Sequence, residues 1–107
     1  MKKHALAAAF LAVTSHVYAQ TPQSATTIDL TIACPKDEDF SRYAVLITDE
    51  VSAAIFFKNE HGCVTLSPGT FVAMDKGSTA RPFSHVCIRP RGSYDCLWTF
   101  AAHVKVN

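Results

Sequence analysis

The chain is poor in what most enzyme signatures need. It has no C-x-x-C pair and no two histidines spaced as in a zinc finger, so a structural zinc site has no basis in the spacing. It has no phosphate-binding loop, dinucleotide fingerprint, nucleophile elbow or H-E-x-x-H, which removes the commonest routes to nucleotide, acyl-transfer and metalloprotease chemistry. It lacks an excess of either charge: the formal net charge is +1 over 107 residues. Nucleic acid and anionic membrane surfaces both call for a basic patch, so neither is an expected partner. No low-complexity tract or internal repeat is present, and no apolar run approaches the ~20 residues of a membrane-spanning helix.

What is present begins at the N-terminus. Met1-Lys2-Lys3 is basic, Ala5–Val13 is apolar, and Val17-Tyr18-Ala19 fits the end of a secretory signal. The pattern predicts cleavage after Ala19 and a mature chain, periplasmic or extracellular, that begins at Gln20. The first cysteine is Cys34, too far along for a lipid anchor at that point. Cleavage removes Lys2, Lys3, His4 and His16, takes the formal charge from +1 to −1 and leaves His61, His85 and His103. Residues 20–26 read as a flexible lead and 27–107 as a single domain. A domain of this size buries only a little over ~60% of its unfolded surface, so the core is thin.

Cys34, Cys63, Cys87 and Cys96 all survive cleavage, and an even number of cysteines in a short exported chain predicts two disulfides. Of the three possible connectivities, hairpin geometry favours Cys34–Cys63 with Cys87–Cys96. If Arg91-Gly92 is the turn between two strands over Phe83–Val106, Cys87 faces Cys96, His85 faces Trp98 and Phe83 faces Phe100. Directly opposed residues lie within disulfide reach.

Period-two alternation then predicts an all-β domain: a small antiparallel sandwich or barrel of about seven short strands. Thr27–Cys34 alternates cleanly. Tyr43–Thr48, Ala53–Lys58, Cys63–Leu66 and Phe71–Met74 follow as a meander separated by turn-forming tetrapeptides. In that register Ala44, Leu46, Ile55, Phe57, Val64, Leu66, Phe71 and Ala73 share one face. Val45, Ile47, Phe56, Val72 and Met74 share the other. Tyr94 to Val106 reads as one long final strand. One segment also fits a second period. Phe40, Tyr43, Ala44 and Ile47 recur at i, i+3, i+4 and i+7 after an acidic start, so a short helix near 36–42 is compatible with the pattern.

The functional reading is a small exported binding domain, inhibitor-like or a recognition module for a protein or glycan, rather than an enzyme. The proposed contact surface is the disulfide-braced hairpin tip with Arg89, Arg91 and Tyr94, residue types common at binding hot spots. No catalytic residue, metal or cofactor is assigned. One alternative is a compact secreted hydrolase using His61, His85 or His103 with Glu60, Arg89 and Arg91, which supply the acid, base and cation types such chemistry needs. His85 reads more simply as a satisfied boundary residue. A second alternative is a subunit of an exported oligomer, because both faces of the meander carry apolar residues. Ser41-Arg42-Tyr43 and Cys63–Gly69 resemble segments of the two-disulfide β-sandwich inhibitors of α-amylase. Ser41 stands where that family has Trp and the other cysteine spacings differ, so membership is not inferred.

Overall fold

The computed structural model describes residues 22–77, Thr79, 81–93 and 95–107. The expected signal peptide at 1–19 and Tyr94 lie outside the described residues. The chain runs β1 (Gln23–Thr27), β2 (Thr31–Ala33), α1 (Asp37–Asp49), α2 (Val51–Glu60), β3 (Val64–Leu66), β4 (Phe71–Lys76), β5 (His85–Pro90), β6 (Leu97–Phe100), a 3-10 turn (Ala101–His103) and β7 (Val104–Val106). Five strands form one antiparallel sheet in the order β6-β5-β4-β1-β7, and β2 pairs with β3 in a separate ribbon. Among the described residues the fold is therefore mostly β, with seven strands, two disulfides and two helices.

The strands β6 and β7 occupy opposite edges of the five-stranded sheet, yet only Ala101–His103 separates them in sequence. A 3-10 turn of that length advances the chain by only ~6 Å. The sheet therefore curls until its edges approach each other. Ala25, Val72, Met74, Val86, Ile88, Ala101 and Val104 pack as the core of this curled sheet. A second cluster, Cys34, Phe40 and Cys63, sits under α1 with Ile32, Tyr43, Trp98 and Phe100 packed around it.

Cys34 joins the two parts. Its backbone exchanges hydrogen bonds with Trp98 on β6, N–H to O in both directions at 3.0 and 2.7 Å, and its sulfur is bonded to Cys63. The Thr99 hydroxyl donates to the Ile32 carbonyl at 2.9 Å, a second tie between β6 and β2. Thr27, Thr31 and Thr99 are the buried polar residues, and among the described residues every buried side-chain polar atom has a partner. That satisfaction is what makes burying them tolerable.

Four sequence expectations are corrected. First, Tyr43–Thr48 and Ala53–Lys58 are not strands: α1 and α2 cover them. The β-branched and aromatic residues there alternate, but Phe40, Tyr43, Ala44 and Ile47 in the first segment also fit a 3.6 period. Burying the Phe40, Tyr43, Ala44, Ile47 stripe decides in favour of the helix. Asp37, Glu38 and Asp39 in the first turn of α1 complement the helix dipole, and the helix runs well past residue 42 to Asp49. At the end of α2, Cys63 N–H reaches the Lys58 carbonyl at 3.0 Å and Gly62 has φ 72°. This is a Schellman stop, which needs the left-handed conformation glycine adopts freely, and it turns the chain so that Cys63 faces Cys34.

Second, Gln23–Thr26, expected as a flexible lead, belongs to β1, between β4 and β7 in the sheet. Third, Thr27–Cys34 is not one strand. It breaks at Ile28–Leu30, where the Ile28 N–H bonds to the His103 carbonyl at 3.0 Å, and β2 then leaves the sheet. The last expected strand breaks as well, at the 3-10 turn. Fourth, the β5–β6 register is displaced by two residues: Cys87 opposes Trp98 and His85 opposes Phe100. The turn at Pro90–Ser93 closes with Ser93 N–H to the Pro90 carbonyl, and Cys96 lies in the loop just before β6. The Cys87–Cys96 bond therefore braces the loop from a diagonal position rather than a rung of the ladder.

The Cys34–Cys63 bond spans 29 residues and Cys87–Cys96 spans 9. In the chain-entropy account these are worth roughly 3.6 and 2.6 kcal/mol. The paired substitution C34A/C63A is expected to lower the melting midpoint more than C87A/C96A, because the longer bond also anchors the helical hairpin. Calorimetry of the two variants checks the order, and a larger loss from C87A/C96A contradicts it.

Candidate functional site

Two grooves flank α1. The inner one lies between α1 and the curled sheet, with a volume of about 450 Å³. The α1 stripe of Phe40, Tyr43 and Ile47 forms one wall, and Leu30, Phe83 and Phe100 form the other. Phe40 meets Phe100 edge-on with centroids 4.8 Å apart, and Phe83 meets the same ring at 6.2 Å. Leu30 is 65% exposed and Phe83 81%, so two large apolar side chains stand open at the rim. Tyr43 is partly covered, and this burial raises its phenol pKa above the usual value. The polar groups on the groove are few, among them His103, Thr48 and Tyr43. A mostly apolar concavity with a small number of polar groups is the usual form of a ligand site.

The outer groove runs between α1 and α2, with a volume of about 610 Å³. Leu46, Ala53, Phe56 and Phe57 line its floor, and Glu38, Asp39 and Glu60 stand around it with Arg42. Phe57 stacks on His61 at 4.0 Å. Val45, Val51, Ile55 and Phe56 on the helical hairpin are all more than half exposed.

All three described histidines are bonded through Nδ1 to an aspartate. His61 pairs with Asp39 at 3.2 Å, His103 with Asp29 at 2.8 Å, and His85 with Asp37. Each pair joins separate parts of the fold: α1 to the end of α2, the 3-10 turn to the β1–β2 link, and β5 to the start of α1. His85 and His103 both lie against the Phe100 ring, with centroids 5.3 and 6.1 Å away. His61 keeps Glu60 as a second neighbour at 3.9 Å. An aspartate at Nδ1 fixes the ring and its tautomer, and at His85 and His103 it turns Nε2 away from that partner.

The hairpin tip is less available than the sequence implies. Arg89 donates to Asp75 from Nε at 3.0 Å and from Nη2 at 3.1 Å. These hydrogen bonds, with the attraction between the charges, raise the guanidinium pKa still further. Asp75 sits at the irregularity in the β4–β5 ladder between Met74 and Lys76, and bulges of this kind re-aim a side chain. Arg89 is thus a cross-strand brace. Arg91 is exposed at the turn, beside a smaller cleft of about 350 Å³ next to Phe71.

No family model, no curated protein and no solved structure matches the chain.

Among the described residues no group of three His, Cys, Asp or Glu side chains is placed to hold a metal ion. No described helix is long and apolar enough to cross a membrane. Sequence reasoning singled out the histidines but not Asp29, Asp37 and Asp39 as their partners. The pairs are 74, 48 and 22 residues apart in the chain, and only the fold brings them together. The inner groove had one sequence signal, the i, i+3, i+4, i+7 stripe of α1.

In the neutral state these bonds require the proton on Nδ1, the less common tautomer of a free imidazole. Long-range ¹⁵N–¹H spectra at alkaline pH are expected to show His85 and His103 as Nδ1–H, with Asp29→Asn altering the His103 pattern alone. Nε2–H patterns for both rings contradict the pairing.

Proposed function

We propose that the chain is a small exported binding module that receives an apolar anchor of a protein partner in the inner groove. The observation that carries this reading is the groove itself: an apolar trough whose rim leaves Leu30 and Phe83 open to solvent. Exposed apolar patches of this kind mark interaction sites. Aromatic walls set between a helix and a sheet also offer an anchor side chain a rigid seat. The groove takes the place of the hairpin tip as the principal contact surface, because Arg89 is already committed to Asp75. Arg91 and Tyr94 stay in the proposal as a secondary edge of contact.

Export by cleavage after Ala19, into a periplasm or the medium, belongs to the same proposal. The two disulfides fit an oxidising compartment. The reading also takes the curled sheet as a partly closed barrel, supported by the three-residue link between its edge strands.

A second reading, a compact hydrolase, is favoured by one observation: the Asp29–His103 pair beside the groove, with the imidazole held through Nδ1. That arrangement recurs where a histidine serves as general base.

Selection of displayed peptides against the immobilised mature chain separates the readings. The expected result is enrichment of peptides with an aromatic or aliphatic anchor. Phe83→Ala and Leu30→Ala are each expected to weaken their binding by roughly tenfold or more, as hot-spot truncations do. Both side chains are exposed, so neither change disturbs the core. Peptides that lose binding on Arg91→Ala instead return the contact to the hairpin tip. Cleavage of the selected peptides, abolished by His103→Ala, replaces the binding reading with the hydrolase.

A further inference from the structure

The charges of this chain are segregated by structure. The helical hairpin, residues 37–60, carries Asp37, Glu38, Asp39, Asp49, Glu50 and Glu60 against Arg42 and Lys58, a formal charge of −4. Residues 71–107 carry Lys76, Arg81, Arg89, Arg91 and Lys105 against Asp75 and Asp95, a formal charge of +3. The near-neutral total conceals an acidic helical face and a basic sheet.

The acidic face is also the apolar one. Helix α2 buries only Ala54, while Val51, Ile55 and Phe56 are 57%, 52% and 67% exposed. Of these three, Phe56 lines the outer groove, while Val51 and Ile55 lie elsewhere on the helix. The outer groove has its apolar floor between these helices and carboxylates of Glu38, Asp39 and Glu60 around it. Arg42 also lines this groove, and Asp39 and Glu60 neighbour His61 at 3.2 and 3.9 Å, while among the described residues no cation lies within 4 Å of Glu38.

We infer that the outer groove between α1 and α2 docks a cationic amphipathic helix of a partner protein. The apolar face of such a helix would lie on Leu46, Phe56 and Phe57, with its Lys or Arg side chains reaching the carboxylates at the rim. Helix-in-groove recognition uses apolar anchors at i, i+3 or i+4 and i+7, and charge complementarity steers the encounter and fixes the register. The same charges disfavour other occupants. A second copy placed symmetrically on this face would oppose carboxylate to carboxylate, and an anionic lipid surface would be repelled. This contact is independent of the inner groove, which lies on the other side of α1.

The test uses the mature disulfide-bonded chain and a fluorescently labelled Leu/Lys amphipathic peptide of about four turns. A Leu/Glu peptide of the same pattern and vesicles of anionic lipid serve as comparisons. Anisotropy is expected to report saturable binding of the Leu/Lys peptide only, weakening several-fold when salt rises from about 0.05 to about 0.3 M. Phe56→Ser and the pair Glu38→Lys with Glu60→Lys are each expected to weaken binding about tenfold. All three residues are exposed, and an unchanged melting midpoint confirms that the fold persists. Phe83→Ala, in the inner groove, leaves this binding intact whether or not the inner groove binds anything. Equal binding of the Leu/Glu peptide overturns the inference. So do binding unchanged by Phe56→Ser, attachment to anionic vesicles, and a dimer in solution that Phe56→Ser dissolves.

Discussion

The bond between Cys34 and Cys63 holds the two halves of the molecule in one arrangement. Cys34 ends the β2 segment, takes a place in the ladder beside Trp98 and carries the disulfide at a fully buried position. Cys63 follows the glycine stop of α2. Everything between them is the helical hairpin, so the staple closes that hairpin into a loop whose base is fixed to the sheet. Both ends of the loop must then return to β6, which presses Phe40 down on Phe100. The inner groove is the space left beside that contact. In a chain with so little core to bury, fixing this one junction is worth about as much as burying one large apolar side chain.

The legible parts of the fold were those governed by local chemistry. The two-residue period of β4 and β5 and the presence of two disulfides could both be argued from neighbouring residues, whereas the strand count agrees only because two expected strands are helices and two others each split. The first helix was hidden because Tyr43–Thr48 satisfies two periods at once, and burial of its stripe beside a distant sheet is what chooses. The second gave no helical stripe at all: Val51–Glu60 buries only Ala54. Breaks in long alternating segments were equally hidden. Ile28–Leu30 and Ala101–His103 continue the period of their flanks, and the chain bends there because each must serve two partners, Ile28 bonding to His103 at the junction. For the candidate site, one wall was legible as the α1 stripe. The other wall, and the aspartates that orient the histidines, depend on contacts across dozens of residues.

The two grooves share α1 as a common wall, and that helix is held at its first turn by two of the three aspartate–histidine pairs. Asp37 is bonded to His85 on β5 and Asp39 to His61 beyond α2. The N-terminal end of α1 is thus fixed to both the sheet and the second helix, while its C-terminal end stops at Glu50 in an extended conformation before α2 begins. The geometry of each groove follows from how this one helix is seated.

The hydrogen bonds of Asn107 carry one more implication. Its backbone N–H bonds to the Ser24 carbonyl, its side chain reaches both Ser24 and Thr26, and β7 beside it completes the ladder with β1. The curled sheet joins residues near opposite ends of the chain, so its closure waits until both have been delivered. Until residues 104–107 are in place, β1 has β4 on one side and no mate on the other. Pairing over so long a sequence separation comes late in folding, because loop-closure entropy must be met before the contact rewards it.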